Sequence, residues 1–422
     1  MLLEFRVSNF RSIRDEQVFS LIAAGSDKTH TGTHLAATGI KALPHAVRSA
    51  VLYGPNASGK STLLGALDYM RRVVADSATV VQPNQPYNIQ KFKLDAAKAA
   101  EPVAFEISFL MEGVRYQYAL AMHAERFVSE SLVIYQTSRP KQLFSRQLGA
   151  DGRTYQYEFS STLKGPKQLW QDSTRANALF LSTAAQLNSE MLGPVFRWIV
   201  ESFVFIRSGA MVNPEFTTKL LETEAGRSSV RGFLAEADIS IADIEAIKHK
   251  GFQNQIRFEP NGDTQTVSVE AEFVLPVFEH LAPNGSAKFQ LHEESEGTQR
   301  LYGLAAPVMD VLRQGKILVV DELDSSLHTL LVRQLVSMFH NPDTNKKAAQ
   351  LIFSTHDTAL LDTDLFRRDQ IWLTEKDEHQ ATRLYPLTDF SPRSKEALER
   401  GYLAGRYGGI PFLTSRQAQS LI

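Results

Sequence analysis

Residues 51–67 read VLYGPNASGKSTLLGAL, and this stretch restricts the possible folds more tightly than any other in the chain. The apolar run Ala50–Tyr53 predicts a strand, and LLGALDYMRRVV after Thr62 predicts a helix. Between them stands G-x-x-x-x-G-K-[ST], in the strand–loop–helix context that the motif requires. Glycines let backbone N–H groups turn inward as an anion nest, and the helix N-terminus adds a partial positive charge. The candidate phosphate cradle is therefore Gly54, Pro55, Asn56, Ala57, Ser58, Gly59, Lys60, Ser61 and Thr62. Lys60 would reach the terminal phosphates of a nucleotide, and the Ser61 hydroxyl would sit on Mg²⁺. A Gly-rich turn before an ordinary helix would explain the glycines, but not the lysine and the flanking pattern together.

A second constellation lies far downstream. KILVVDELDSSLH places an apolar run ahead of Asp321 and Glu322. A buried parallel strand has this form when its C-terminal tip enters a phosphate site. Asp321 would hold the Mg²⁺ shell, and Glu322 would orient or deprotonate an attacking water. Taken alone, the same residues would make a core strand ending in a solvated acidic turn; a phosphate loop in the same chain favours the chemical reading. LIFSTHDTALL is another buried-strand pattern, with Ser354, Thr355 and His356 at its tip, where His356 would contact the terminal phosphate. Ahead of the carboxylate strand, Ser295, Gly297 and Thr298 open the apolar helix of ESEGTQRLYGLAAPVMDVL. A small polar cap is ordinary helix chemistry, and it also makes a second anion-binding helix end.

Composition excludes several classes. The 422 residues hold about two or three compact units, and 43% hydrophobic with 22% charged residues is the balance of a soluble globular protein. No apolar run approaches the roughly 18 residues of a membrane span, and charges interrupt MLLEFRVSNFRSIRDE too early for a secretory signal. The absence of cysteine removes disulfides and thiolate metal sites, and the expected location is cytoplasmic. A net charge of −2 gives no global footprint for nucleic acid. Leu2–Val7 alternates like a strand, VAFEISFLMEGVRYQYALAM reads as two strands joined at Glu112-Gly113, and strand-like sequence continues through Tyr155–Phe159. Beyond Gly165, ALFLSTAAQL and EMLGPVFRWIVESFVF read as helical or mixed, and SSVRGFLAEADISIADIEAIKHK has helix spacing. QIRFEP and VSVEAEFVLP form a strand pair ahead of Leu291. There is no internal repeat and no heptad run.

The order of phosphate loop, long insertion, S-x-G-T cap, VVDE strand and Ser-Thr-His strand resembles the ABC-type ATPases of the SMC and OLD kind. More closely, it resembles the AAA-type ATP-binding proteins of bacterial abortive-infection and phage-defence loci, the AbiL-like and RloA-like group. FRVSNFRSI, YNIQKFKLD, FLSTAAQL and GYLAGRYGGIPFL are similar to landmarks of that group. The resemblance implies ATP and Mg²⁺ as ligands, and it places Asn9, Arg11 and Ser12 near the nucleotide. It also implies an ATP sandwiched between the phosphate loop of one subunit and the Ser295–Thr298 cap of another. The cap reads SEGTQ rather than LSGGQ, which weakens a transport role. The stretch after His356 is too short for the Toprim nuclease of OLD proteins, so toxic activity is expected in a separate effector. Gln90 and Gln85 compete for the metal-sensing glutamine, and no mechanism attaches to the Gly-rich tail from Gly401 to Phe412.

The expected fold is α/β, an ABC-type ATPase head with a largely helical insertion. Its boundaries are residues 1–164 for a mixed-sheet lobe with the phosphate loop, 165–285 for the insertion, 286–390 for a second α/β lobe, and 391–422 for a tail. The expected function is an ATP-hydrolysing sensor or regulator of a separate, nuclease-like effector in antiphage defence, self-associating as a dimer or higher oligomer. Its trigger would be DNA or a phage protein, with no membrane partner. The alternative is an SMC-like DNA-repair or DNA-processing ATPase, which would want long coiled coils or a basic groove. A third reading, a non-hydrolysing nucleotide-dependent scaffold, is disfavoured by the intact Asp321-Glu322 pair.

Overall fold

The computed structural model describes residues 1–136, 139–209, 212–236, 241–258, 264–391 and 396–411. The strands in chain order are β1 (Leu2–Ser8), β2 (Gln17–Ser20), β3 (Leu35–Ile40), β4 (Leu43–Val47), β5 (Ser49–Tyr53), β6 (Val103–Met111), β7 (Val114–Met122), β8 (Phe127–Tyr135) and β9 (Lys141–Leu148). They continue with β10 (Tyr155–Phe159), β11 (Phe203–Ile206), β12 (Asp243–Phe258), β13 (Thr264–Ala282), β14 (Gly285–Gln290), β15 (Ile317–Val320), β16 (Gln350–Ser354), β17 (Ile371–Lys376) and β18 (Thr382–Pro386). The chain divides into two compact units, the first comprising residues 1–208, 311–324 and 335–422 and the second 209–310 and 325–334.

The first unit contains two large sheets. One is antiparallel, in the order β10-β9-β8-β7-β6-β1-β2. The β6–β7 pair closes at Glu112-Gly113, both at positive φ, as the sequence predicts for a tight hairpin. The other sheet has the order β11-β15-β16-β5-β17-β18, and all its neighbours are parallel except the β17–β18 pair. The strands SAVLY, ILVV and QLIFS are buried at every residue, which is why they read as continuous apolar runs. Parallel pairing brings the C-terminal ends of β5, β15 and β16 to one edge, the place where open α/β sheets build ligand sites. The helix Lys60–Asp76 turns Leu63, Leu67, Met70 and Val74 into an apolar cluster that also takes in Phe5, Ile107 and Leu52. Each buried side chain of this size contributes about 1.5–3 kcal/mol of transfer free energy, so the cluster clamps the phosphate-loop helix to both sheets. The α/β class expected of an ABC-type head is the class observed.

A buried ion pair reinforces the antiparallel sheet. Glu130 on β8 accepts from the amides of Phe180 and Leu181 at 2.6 and 2.9 Å, and Arg146 on β9 lies 3.8 Å away with no solvent exposure on either side chain. Desolvation raises the Glu130 carboxyl, opposed by Arg146 and these hydrogen bonds.

The second unit differs from the expected helical insertion. Its centre is the antiparallel sheet β12-β13-β14, and β12 pairs with β13 continuously from Asp243–Glu279 to Phe258–Thr264. In the stretch read as one helix, the helix is Glu224–Ala235 and β12 follows from Asp243. The apolar spacing there suits either period, and pairing with β13 decides it. The unit borders also depart from 165 and 285. Helices 180–186 and 192–201 pack into the core of the first unit, while the first turns of helix Glu296–Gln314 belong to the second. Among the described residues, no helix is long and apolar enough to cross a membrane.

Candidate functional site

The phosphate loop is held open by contacts from strands more than three hundred residues away. Gly54 has φ 154° and Gly59 has φ 119°. A Cβ at Gly54 would fall 2.3 Å from Thr374 Oγ1, and one at Gly59 would fall 2.2 Å from Thr382 Oγ1. The two glycines therefore serve conformation and close approach together. Thr374 on β17 donates to the Tyr53 carbonyl at 3.2 Å and hydrogen-bonds the Ser58 hydroxyl at 2.6 Å. Thr382 on β18 donates to the Ser58 carbonyl at 2.8 Å. Ser12 bonds both Thr382, at 2.9 Å, and Thr62, at 3.1 Å, so the N-terminal segment does reach the loop. Asn56, Ala57 and Ser61 are exposed, whereas Ser58 and Lys60 are buried.

Lys60 donates to the carbonyls of Gly54 and Pro55 at 2.7 and 3.2 Å. Burial lowers its ammonium from the ordinary value, and Asp321, Glu322 and Asp324 oppose that shift. The ammonium is thus held inside the loop by neutral carbonyls, within the field of three carboxylates.

The carboxylates stand at the tip of β15. Ser354, the last residue of β16, donates to Asp321 Oδ1 at 2.6 Å and accepts from the Glu322 amide at 2.8 Å. The Leu323 amide bonds the Ser354 carbonyl at 3.1 Å, so this turn is sewn to the neighbouring strand. Glu322 sits at φ 58°, a left-handed conformation that is uncommon outside glycine and clusters at functional sites. The Ser208 hydroxyl donates to its Oε2. His356 follows Ser354 and Thr355 with an exposed side chain, and its amide donates to Asp324 at 3.2 Å.

Two cavities border the loop. One, of about 240 Å³, brings together Arg11, Ser61, Asp68, Arg207 and Asp321. The other, of about 710 Å³, is lined by Gly54, Pro55, Asn56, His356 and the tail residues Tyr402 and Pro411. The first unites the two proposed metal ligands, Ser61 and Asp321, which are 260 positions apart in sequence. The cradle that Cβ atoms would fill, the buried ammonium and this hydroxyl–carboxylate pair all fit a nucleoside triphosphate with Mg²⁺.

Asn9 is placed elsewhere. Its amide nitrogen donates to the carbonyls of Lys98, Glu101 and Pro102 and its oxygen accepts from Phe92, so its polar capacity fastens residues 92–102 rather than facing the loop. Gln85 bonds the Gln82 amide within its own turn, whereas the Gln90 carbonyl accepts from the Arg11 amide at 2.8 Å. In the second unit, Ser295 accepts from the Thr298 amide at 3.1 Å and bonds its hydroxyl at 2.9 Å, which caps the helix that begins at Glu296. A Cβ at Gly297 would lie 3.1 Å from the Ser326 carbonyl. The sequence motifs missed Ser208, Arg207, Thr374 and Thr382; no local pattern marks them.

Residues 49–362 match the family described as "AAA domain, putative AbiEii toxin, Type IV TA system". The chain belongs to this AAA-domain family. The matched span opens on the first residue of β5 and closes just beyond His356, so it takes in the phosphate loop, the cap and both carboxylates of the AAA domain. No curated protein matches. Among solved structures, the crystal structure of the SmcHead bound to the C-winged helix domain of ScpA matches at 11% identity and a TM-score of 0.41, covering 91% of this chain and 97% of that one. The AbiL-like and RloA-like grouping is finer than the AAA-domain assignment.

Proposed function

We propose that this AAA-domain protein binds ATP with Mg²⁺, hydrolyses it, and couples the cycle to a separate effector in antiphage defence. The observation that carries the chemical part is the meeting of Ser61 and Asp321 in one cavity, with Glu322 next in the chain. Lys60 and the loop amides would bind the β- and γ-phosphates, and Arg11, which lines the same cavity as Ser61, would neutralise charge there. Ser61 and Asp321 would hold Mg²⁺, which supplies charge neutralisation at the phosphate oxygens. Glu322 would accept the proton of the attacking water, and His356 would contact the terminal phosphate. The Ser295–Thr298 cap of a second copy would complete the site, giving an ATP-dependent dimer. The defence role draws support from the family description, which names a toxin and a type IV TA system.

Glu322→Gln tests it. The amide keeps the shape and leaves Asp321 to the metal, so ATP binding should persist while turnover falls about 10²–10⁴-fold, the usual worth of a general base. The trapped form should appear in light scattering as an ATP-dependent doubling of mass. Turnover at the wild-type rate would reduce Glu322 to an acidic turn residue and refute the assignment.

A further inference from the structure

β11 carries none of the motifs legible in the sequence, yet it lies directly beside the carboxylate strand. It runs parallel to β15 with Ile206 opposite Val320, and the Asp321 amide donates to the Ile206 carbonyl at 2.9 Å. Arg207 and Ser208 therefore leave the sheet at the level of Asp321 and Glu322. Arg207 is anchored on its other side. Its Nη2 lies 2.6 Å from Oδ2 of Asp68, a buried carboxylate on helix Lys60–Asp76 that Arg71 also holds at 3.1 Å. Strand register and ion pair together set where Ser208 falls, and there its hydroxyl donates to Glu322 Oε2.

A base that must take a proton from water works only in the correct orientation, and catalytic bases are commonly held by a third group. A glutamate side chain has three rotatable bonds, and the neighbouring strand fastens the Glu322 main chain through Ser354. We infer that Ser208 is a positioning residue for Glu322, its hydroxyl holding the carboxylate in the orientation that receives the water's proton. The inference rests on the ATPase reading and extends the site to a strand outside every motif.

Ser208 is exposed, so Ser208→Ala should fold with an unchanged melting temperature. Steady-state kinetics should show kcat down roughly tenfold, the scale of one hydrogen bond to a charged group, with KM for ATP and calorimetric ATP affinity unchanged. Ser208→Thr, which keeps the hydroxyl, should restore kcat to within about twofold. In a Glu322→Gln background, Ser208→Ala should produce no further loss in single-turnover rate, because residues acting as a unit are non-additive. A wild-type kcat in Ser208→Ala, failure of threonine to rescue, or a full multiplicative loss in the double variant would overturn the role. If the wild-type protein hydrolyses no ATP, the ATPase reading fails and this inference falls with it. A hydrolysing wild type beside an indifferent Ser208→Ala sinks the Ser208 role alone.

Discussion

Acid should destabilise this protein through a stack of histidines beneath the phosphate-loop strand. The rings of His30 and His34 are 4.5 Å apart and those of His34 and His340 are 3.7 Å apart. His34 Nε2 bonds the Leu365 carbonyl at 3.0 Å and Nδ1 bonds the Thr33 hydroxyl at 2.8 Å, while His340 Nε2 bonds Ser49 Oγ, at the start of β5, at 2.8 Å. Burial holds His34 down at about 4, helped by His30, Arg367 and Arg48 and opposed by the bond to Leu365. His340 is lowered in the same direction by burial and by His34, His30 and Arg48. The unfolded chain takes up the His34 proton near pH 6.5, whereas the folded chain resists it until about pH 4. Stability from the neutral ring is thus complete above about pH 6.5 and is lost as pH falls. For His34 alone, linkage gives a loss of about 2 kcal/mol by pH 5 and about 3 kcal/mol by pH 4. His34→Gln keeps a hydrogen-bonding side chain without the titration. Urea denaturation followed by tryptophan fluorescence, at pH 7.5 and pH 5, should show the wild-type stability difference shrinking by about 2 kcal/mol in this variant. An unchanged difference would refute the argument that the buried ring is kept neutral.

Lys60→Ala removes the ammonium held by the Gly54 and Pro55 carbonyls, and titration calorimetry should detect no ATP binding to the folded variant; wild-type affinity would mean that the phosphate loop is misassigned. Gly408→Ala places a Cβ 2.5 Å from Tyr385 Oη and 2.7 Å from Glu375 Oε2 at φ 68°. It should cost about 1–3 kcal/mol and expose residues 396–411 to limited proteolysis, and a tail as resistant as wild type would count against its being a packed strap. Glu130→Ala leaves Arg146 buried without its carboxylate and should lower stability by about 3–5 kcal/mol in urea; a loss under about 1 kcal/mol would show that the Ala178 and Arg175 carbonyls and the Tyr155 ring satisfy the guanidinium.

What the sequence determined by itself is local. The spacing of Gly54, Gly59, Lys60 and Ser61 encodes a backbone path and the side chains on it. ILVV before Asp321 and QLIFS before Thr355 encode strands buried on both faces. Glu112-Gly113 encodes a hairpin. Each depends on the conformational preferences and polarity of adjacent residues, which a short window contains in full. Where two periods fitted, as in Asp243–Lys250, the window was insufficient and a partner strand decided.

Tertiary structure decided who meets whom. Thr374 and Thr382 shape the phosphate loop because β17 pairs with β5 and β18 with β17. Ser208 reaches Glu322 because β11 takes the place beside β15. Asn9 looked like a nucleotide contact, but the turn at Phe10–Ile13 aims its amide at Lys98 and Pro102, and Arg11 lines the cavity shared by Ser61 and Asp321 instead. The tail glycines, opaque in sequence, follow the same logic up to Pro411; Phe412 lies outside the described residues. Gly401 makes room for the Tyr407 ring and Gly408 for Tyr385 and Glu375. Strand order is set by burying whole faces against one another, and that free energy is spread over many residues distant in the chain. No single segment records it, which is why the loop that would hold the phosphates was legible and the residue that would hold its base was not.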